Sequence, residues 1–332
     1  MVEQVAACLE IQTSEYILEQ IRKYADEIVP PGKLRVVTDT SDYFKVDYND
    51  VVSVGEDLLL IRGHAREGRF GLDDEPKFWV KRAVDLKTGR KKILKLAFFE
   101  RFEGRIGEVK FWFFRSPKKE GRILRAVKGH PHFMQGYAVS DEKGNVLRVL
   151  DLVEGGPLSS LISRLKEDHE TYFYTRLPEI LDRLFEAYEA IGFLHDCREL
   201  HGDIRRDHIL VDRLTGRFVW IDFDYAYQTE TNPIGFDLYG LGNVLSYVVG
   251  KGDVTVQDLR SKRADVLDSL TESDMNIVWA NRVMNLAKVF PYIPDSLNNV
   301  LMHFAVGAEV FYDSVTELVE DIRTFRDTMY KL

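Results

Sequence analysis

The run His201-Gly202-Asp203-Ile204-Arg205-Arg206-Asp207-His208-Ile209-Leu210-Val211-Asp212, with Trp220-Ile221-Asp222-Phe223-Asp224 soon after it, decides how the rest of the chain is read. Ile209–Asp212 and Phe218–Asp222 are short β-rich runs inside an otherwise helical half. Asp203 and Asp222 each stand where a strand-like run meets a turn. A β-hairpin between them predicts that both carboxylates reach one cleft.

Working outward, Leu177, Leu181, Leu184, Tyr188, Ile191 and Leu194 form the apolar stripe of a buried helix that leads into this run. Helices are expected to dominate from Gly155-Gly156-Pro157 to the C-terminus. From Val36 to Ala97 the texture is instead short β-rich runs, at Val51–Val54, Leu58–Ile61, Phe78–Val84 and Lys92–Phe98, with Lys87-Thr88-Gly89 as a hairpin turn. A helical segment over Lys118–Val127 comes next, then two further strand-like runs ending at Val146–Leu152. Near the N-terminus Ile17, Ile21, Tyr24 and Ile28 recur at helical spacing before Pro30-Pro31-Gly32. The expected class is α+β. Its expected parts are an N-terminal extension of helix plus strand (1–50), a β-rich part (51–152) and a helical part (153–332).

Composition removes several function classes. With 45% hydrophobic and 30% charged residues, 332 residues hold one large domain or two smaller ones. A net charge of −9 argues against broad nucleic-acid binding, and no stretch approaches the ~18 apolar residues of a membrane span. Met1–Glu10 does not read as a signal peptide, and Cys8 and Cys197 are too few for a disulfide framework or a zinc site. The expectation is a reduced, cytoplasmic setting without nucleic-acid or membrane partners.

These landmarks resemble the protein-kinase-like superfamily, closest to bacterial Ser/Thr protein kinases, over about Leu58 to Arg326. His201-Gly202-Asp203 is similar to the kinase catalytic loop, with His208 in the place of its Asn, and Asp222-Phe223-Asp224 to the metal loop. Asp85–Lys95 resembles the hairpin that leads to the phosphate-binding lysine, and Glu120-Gly121-Arg122-Ile123-Leu124 the helix whose Glu pairs with it. His130-Pro131-His132-Phe133 resembles the loop after that helix, and Leu150–Gly156 the hinge, with Leu150 as gatekeeper. Asp237–Gly242 resembles the helix that anchors the larger lobe, and Tyr312–Leu318 the last helix.

The resemblance implies a two-lobed kinase-like fold that uses ATP with Mg²⁺ or Mn²⁺. Asp203 would orient the acceptor hydroxyl, with Arg205 beside it; Asp222 and His208 would hold metal. Lys95 and Glu120 would serve the phosphates, while the Asp151 carbonyl, the Val153 amide and Leu210 would receive adenine. Each has a plainer reading. Lys91 and Lys92 compete with Lys95 because strand alternation leaves the register open, and a Glu on a basic helix face is usually solvated. Gly63, Gly68 and Gly71 are candidates for a phosphate-covering loop, with Leu72–Lys77 standing as an insertion where a strand should begin. His201 is read as core, packed under Phe223.

Four departures from the family pattern stand out. His208 brings an imidazole where Mg²⁺ prefers oxygen, which favours Mn²⁺ or loss of a second metal. Ile93 replaces a small residue against adenine, and Arg205 replaces a Lys. The segment Asp222–Asp237 is short and lacks an Ala-Pro-Glu ending, while Phe311 occupies the place of the Arg that would pair with it. Gly202 also removes the Arg that reads a phosphorylated loop, so loop-phosphorylation control is not expected. Three functions stay open at this point: phosphotransfer to a protein Ser/Thr hydroxyl, phosphotransfer to a small molecule in the manner of aminoglycoside or choline kinases, and a nucleotide-binding pseudokinase scaffold.

Overall fold

A computed structural model describes residues 14–25, 33–69, 72–106, 109–229 and 232–329. It divides into two compact units. One comprises the chain up to Phe99 with Ser116–Lys128 and Met134–Leu152; the other comprises Glu100–Arg115, Gly129–Phe133 and the chain from Val153 onward.

The strands in chain order are β1 (Arg35–Val37), β2 (Asp50–Val54), β3 (Asp57–Arg69), β4 (Leu72–Asp85), β5 (Lys91–Lys95), β6 (Arg101–Ile106), β7 (Val109–Arg115), β8 (Gly136–Ser140) and β9 (Val146–Asp151). The first unit is built on a seven-stranded sheet of order β1-β2-β3-β4-β5-β9-β8, in which only the β1–β2 pairing is parallel. Period-two alternation sends Val52, Val54, Leu59 and Ile61 to one core and Val51 and Leu60 to another. The second core is closed by Ile17 and Ile21 of helix α1 (14–24), so the N-terminal helix covers a sheet face that would otherwise be wet. Residues 26–32, which hold the proposed Pro-Pro-Gly stop, lie outside the described residues. Helix α2 (Pro117–Ala126) starts at the Ser116 cap, whose hydroxyl accepts from the Lys119 amide, with Pro117 at the first helical position.

The structure corrects two sequence expectations. Leu72–Lys77 is no insertion: it opens β4, which pairs antiparallel with β3. Gly71, and the side-chain level of Gly68, lie outside the described residues. The strand expected over Lys92–Phe98 ends at Lys95, and before α2 the chain makes a further hairpin, β6–β7, that the sequence reading passed over. The signal was present, because Phe111 and Phe113 alternate inward while Trp112 stays exposed.

In the second unit, β10 (Gly155–Pro157), β11 (Ile209–Asp212) and β12 (Phe218–Trp220) form one antiparallel sheet, and β13 (Tyr225–Gln228) joins β7 and β6 in another. Helices α3 (Leu158–Ser163), α4 (His169–Thr175), α5 (Leu177–Asp196) and α6 (Gly235–Val249) lead a mainly helical remainder that ends in Val315–Met329. The whole expected stripe of α5 is buried, and Tyr188 donates to the Leu241 carbonyl of α6 at 2.6 Å. Among the described residues no helix is long and apolar enough to cross a membrane. The architecture is α+β, β-rich first and helical second, as expected for a two-lobed kinase-like fold.

Candidate functional site

In the first unit, register decides which lysine turns inward. β5 lies between β4 and β9, which sets Lys95 opposite Arg148 and Lys92 opposite Asp151. Lys92 pairs with the Asp151 carboxylate at the sheet surface, whereas Lys95 is only 5% exposed. Two cations directly across a ladder repel. Glu120 resolves this: its carboxylate meets Lys95 Nζ at 2.7 Å and Arg148 Nε at 2.8 Å, with both Glu120 and Arg148 fully buried. Arg148 also donates to the carbonyls of Leu96 and Val146 at 3.1 and 3.0 Å. Helix α2 comes close enough because residue 121 is glycine, where a Cβ would sit 2.7 Å from that of Ala138. The solvated reading of Glu120 is therefore set aside. Arg148 was missed, although a charge inside the apolar run Val146–Leu150 was its signal.

At the end of β9, Leu150 is buried opposite Ile93, and the Asp151 amide donates to the Gln135 carbonyl at 2.8 Å. Val153 and Leu210 belong to the second unit, where Leu210 is half-buried in β11 opposite Pro157 and Val219.

The second unit gathers the other residues on the frame of the β11–β12 hairpin. Asp237, in the first turn of α6, accepts the His201 and Gly202 amides at 2.8 Å each and meets His195 Nε2 at 3.0 Å. Burial works against its charge, but the hydrogen bond and charge of His195, with His201 and the Gly202 amide, outweigh it and hold the carboxyl below its ordinary range. Gly202 has φ +83°, a left-handed conformation open to glycine and strained for arginine. Gly240 of α6 lets the loop pack directly, since a Cβ there would meet Ile204 Cβ at 2.5 Å. His201 is buried, its ring edge-on to Trp220 and Phe223 at centroid distances of 5.2 and 5.9 Å.

His208 stands between the two candidate carboxylates. Its Nδ1 lies 3.5 Å from Asp203 Oδ2, and its Nε2 lies 3.6 Å from Asp222 Oδ2. Nδ1 faces the Asp203 carbonyl at 2.8 Å and so carries the proton, which leaves Nε2 to accept from Arg205 at 2.7 Å. Arg205 Nε is also 3.6 Å from Asp203 Oδ1. The carboxylate oxygens fit a hard divalent cation. The imidazole could join them only by giving up Arg205.

Asp222 has φ +65°, uncommon for a residue with a Cβ. Asp224, two residues on, is fully buried and binds Arg115 at 2.6 Å, while Arg115 also donates to the Tyr225 hydroxyl at 2.6 Å. Burial opposes the charge of Arg115, but Asp224 and then Asp222 keep it firmly protonated. Arg115 was missed because it lies on the unanticipated hairpin. Phe311, which stands where the resemblance would have an ion-pairing Arg, packs edge-on to Tyr239.

No family model matches the chain. It is similar to the yeast (Saccharomyces cerevisiae) serine/threonine-protein kinase SSK22, 30% identical over 205 residues, covering 53% of this chain and 15% of that protein. It is 28% identical over 111 residues to a putative ribosomal protein S6 kinase alpha-2 of Caenorhabditis elegans, covering 33% of this chain and 14% of that one. With the human 2-5A-dependent ribonuclease it shares 22% identity over 231 residues, 68% of this chain and 30% of that one. The matches thus span less than a third of the length of each of these relatives. The first two of these relatives carry protein-kinase names, and the α+β fold, β-rich first and helical second, is consistent with a two-lobed kinase-like fold.

Proposed function

We propose that the chain transfers the γ-phosphate of ATP to a Ser/Thr hydroxyl of a protein, using Mg²⁺ or Mn²⁺, in a cytoplasmic setting. The observation that carries this reading is the grouping of Asp203, Arg205 and Asp222 around His208 within 3.6 Å contacts, in the segments that flank the β11–β12 hairpin. Phosphoryl transfer asks of a protein mainly positioning and charge stabilisation.

In this reading Lys95 steadies phosphate oxygens, and Glu120 aims it while Arg148 holds the second oxygen of the glutamate. The Asp151 carbonyl, the Val153 amide and the Leu210 side chain receive adenine. Asp222 would hold a divalent ion, whose chemistry would be to neutralise charge on the phosphates; His208 would join it only if Arg205 swung aside, and an imidazole donor favours Mn²⁺. Asp203 would accept a hydrogen bond from the attacking hydroxyl and take its proton as the new O–P bond forms and the γ-phosphate's bond to ADP breaks, ADP leaving, while Arg205 would stabilise negative charge on the transferring phosphoryl group. The likeness to bacterial Ser/Thr kinases in the hinge and last helix belongs to this proposal, as does the atypical His-Gly-Asp loop.

A second reading, a nucleotide-binding pseudokinase, is favoured by one observation: Arg205 occupies the His208 nitrogen that a second metal would need. The deciding experiment traces labelled γ-phosphate from ATP with Mg²⁺ and Mn²⁺ separately, for wild type and Asp203→Ala. Labelled protein that disappears in the variant supports the first reading, because a group acting in the transition state is lost while nucleotide binding survives. Turnover unchanged in Asp203→Ala would sink the catalytic assignment. Nucleotide binding without protein labelling would leave a small-molecule acceptor, and no nucleotide-dependent thermal shift would end the kinase reading.

A further inference from the structure

We propose that Arg115 is a positioning residue for Asp222, and that the β6–β7 hairpin carrying it clamps the segment Asp222–Gln228 in its working conformation. This rests on the reading of Asp222 as the metal-holding carboxylate.

A non-glycine residue in the left-handed region is strained and persists only where its surroundings over-determine it. Asp222 is such a residue, at φ +65°. The next six residues are each held in place. Phe223 is fully buried, its ring 5.9 Å from that of His201 and 6.1 Å from that of Phe133. Asp224 is fully buried against Arg115. Tyr225, Ala226, Tyr227 and Gln228 pair in register with Arg115, Phe114, Phe113 and Trp112 of β7.

Arg115 joins these restraints. It is the cross-strand partner of Tyr225, and its planar fork reaches back to the Asp224 carboxylate with one nitrogen and to the Tyr225 hydroxyl with the other. The Tyr225 hydroxyl in turn donates to Glu100, at the root of the same hairpin. Without the guanidinium, Asp224 would be a buried anion two residues from Asp222 with its Arg115 hydrogen bond unmade, and repulsion between the two would turn the Asp222 carboxylate away. A lysine supplies the charge but not the fork. The segment is thus ordered by main-chain bonds and one buried cation, with no phosphate required.

The test uses the full chain and three proteins: wild type, Arg115→Lys, and the charge-balanced double variant Arg115→Met with Asp224→Asn, which leaves no buried unpaired charge. Hydrogen exchange of the 225–228 amides, Mn²⁺ affinity by water-proton relaxation, and kcat against KM for ATP are measured beside thermal unfolding. Expected are exchange at 225–228 about tenfold faster in both variants, with the rest of the β-sheet protected as in wild type. Mn²⁺ affinity should weaken about tenfold in the double variant and less in Arg115→Lys, and kcat should fall more than KM rises. A pair that only stabilised the fold would lower the unfolding temperature without separating these readouts. A folded double variant with wild-type exchange and Mn²⁺ affinity overturns the proposal, and if it fails to fold, the same result in Arg115→Lys does so. If wild type itself neither binds Mn²⁺ nor transfers phosphate, the functional reading fails, and the exchange data alone still decide whether the clamp exists.

Discussion

Each unit buries a carboxylate, and they are satisfied in opposite ways. Glu120 sits between two buried cations, Lys95 and Arg148, one from each of two neighbouring strands. Asp237 is instead surrounded by two consecutive loop amides and His195. A carboxylate held by side-chain charges fixes where those charges point. A carboxylate held by backbone amides fixes the path of the chain. The first arrangement suits aiming a lysine, and the second suits setting a loop from which Asp203 projects.

That contrast sets the order of expected effects. Glu120→Gln should cost the most, about 3–5 kcal/mol in urea unfolding, because it leaves two buried cations against a neutral amide. A loss under about 1 kcal/mol would mean that Lys95 and Arg148 reach water easily, and the keystone role of Glu120 would fall. Asp237→Asn should cost less, about 2–3 kcal/mol, since an amide oxygen still accepts one of the two loop bonds. Its pH signature is separate. A carboxyl held below its ordinary value contributes stability above the unfolded pKa near 4, which is lost as pH falls through the folded one. The variant should therefore flatten the acid limb of the stability curve, and an unchanged limb would remove Asp237 from the account.

Lys81 of β4 gives the mirror case, a buried cation met by backbone oxygen. Its Nζ donates to the carbonyls of Tyr43 and Val46 at 3.0 and 2.5 Å and lies 3.3 Å from His64 Nδ1. Burial lowers its pKa from 10.5 to about 8, against the pull of Asp47 and Asp50. Between those values the unfolded chain binds the proton more tightly than the folded one, so stability should rise with pH from about 8 to about 10, by on the order of 1–2 kcal/mol. Lys81→Met should abolish that rise in denaturation curves taken at pH 7.5 and 9.5; a slope that survives belongs to another group. The smallest effect is expected at the surface, where Arg326 of the last helix, half-buried, pairs with Asp182 of α5 at 2.9 Å. Arg326→Ala should stay within about 0.5 kcal/mol of wild type.

How much was legible depends on how local each signal is. The apolar stripe of α5, the alternation of the β-runs and the hairpin between Asp203 and Asp222 repeat within a few residues, so the sequence alone carried them. Asp203 and Asp222 were legible as candidates because each stands where a strand-like run meets a turn, and Lys95 as a candidate through the ordered series of landmarks, its register left open. The β6–β7 hairpin was not, because its alternation adjoins that of β5 and no strong turn pair marked the break.

The sequence by itself determined the class, the order of elements and the candidate acids. Tertiary structure decided which charges meet: Glu120 with Lys95 and Arg148, 25 and 28 residues away, and Arg115 with Asp224 across 109. It also decided the left-handed turn at Asp222 and the engagement of His208 by Arg205. The reason is physical. Periodicity is a property of neighbours along the chain, whereas the pairing of buried charges is settled only when strand register and helix docking remove water from one set of partners and not from another.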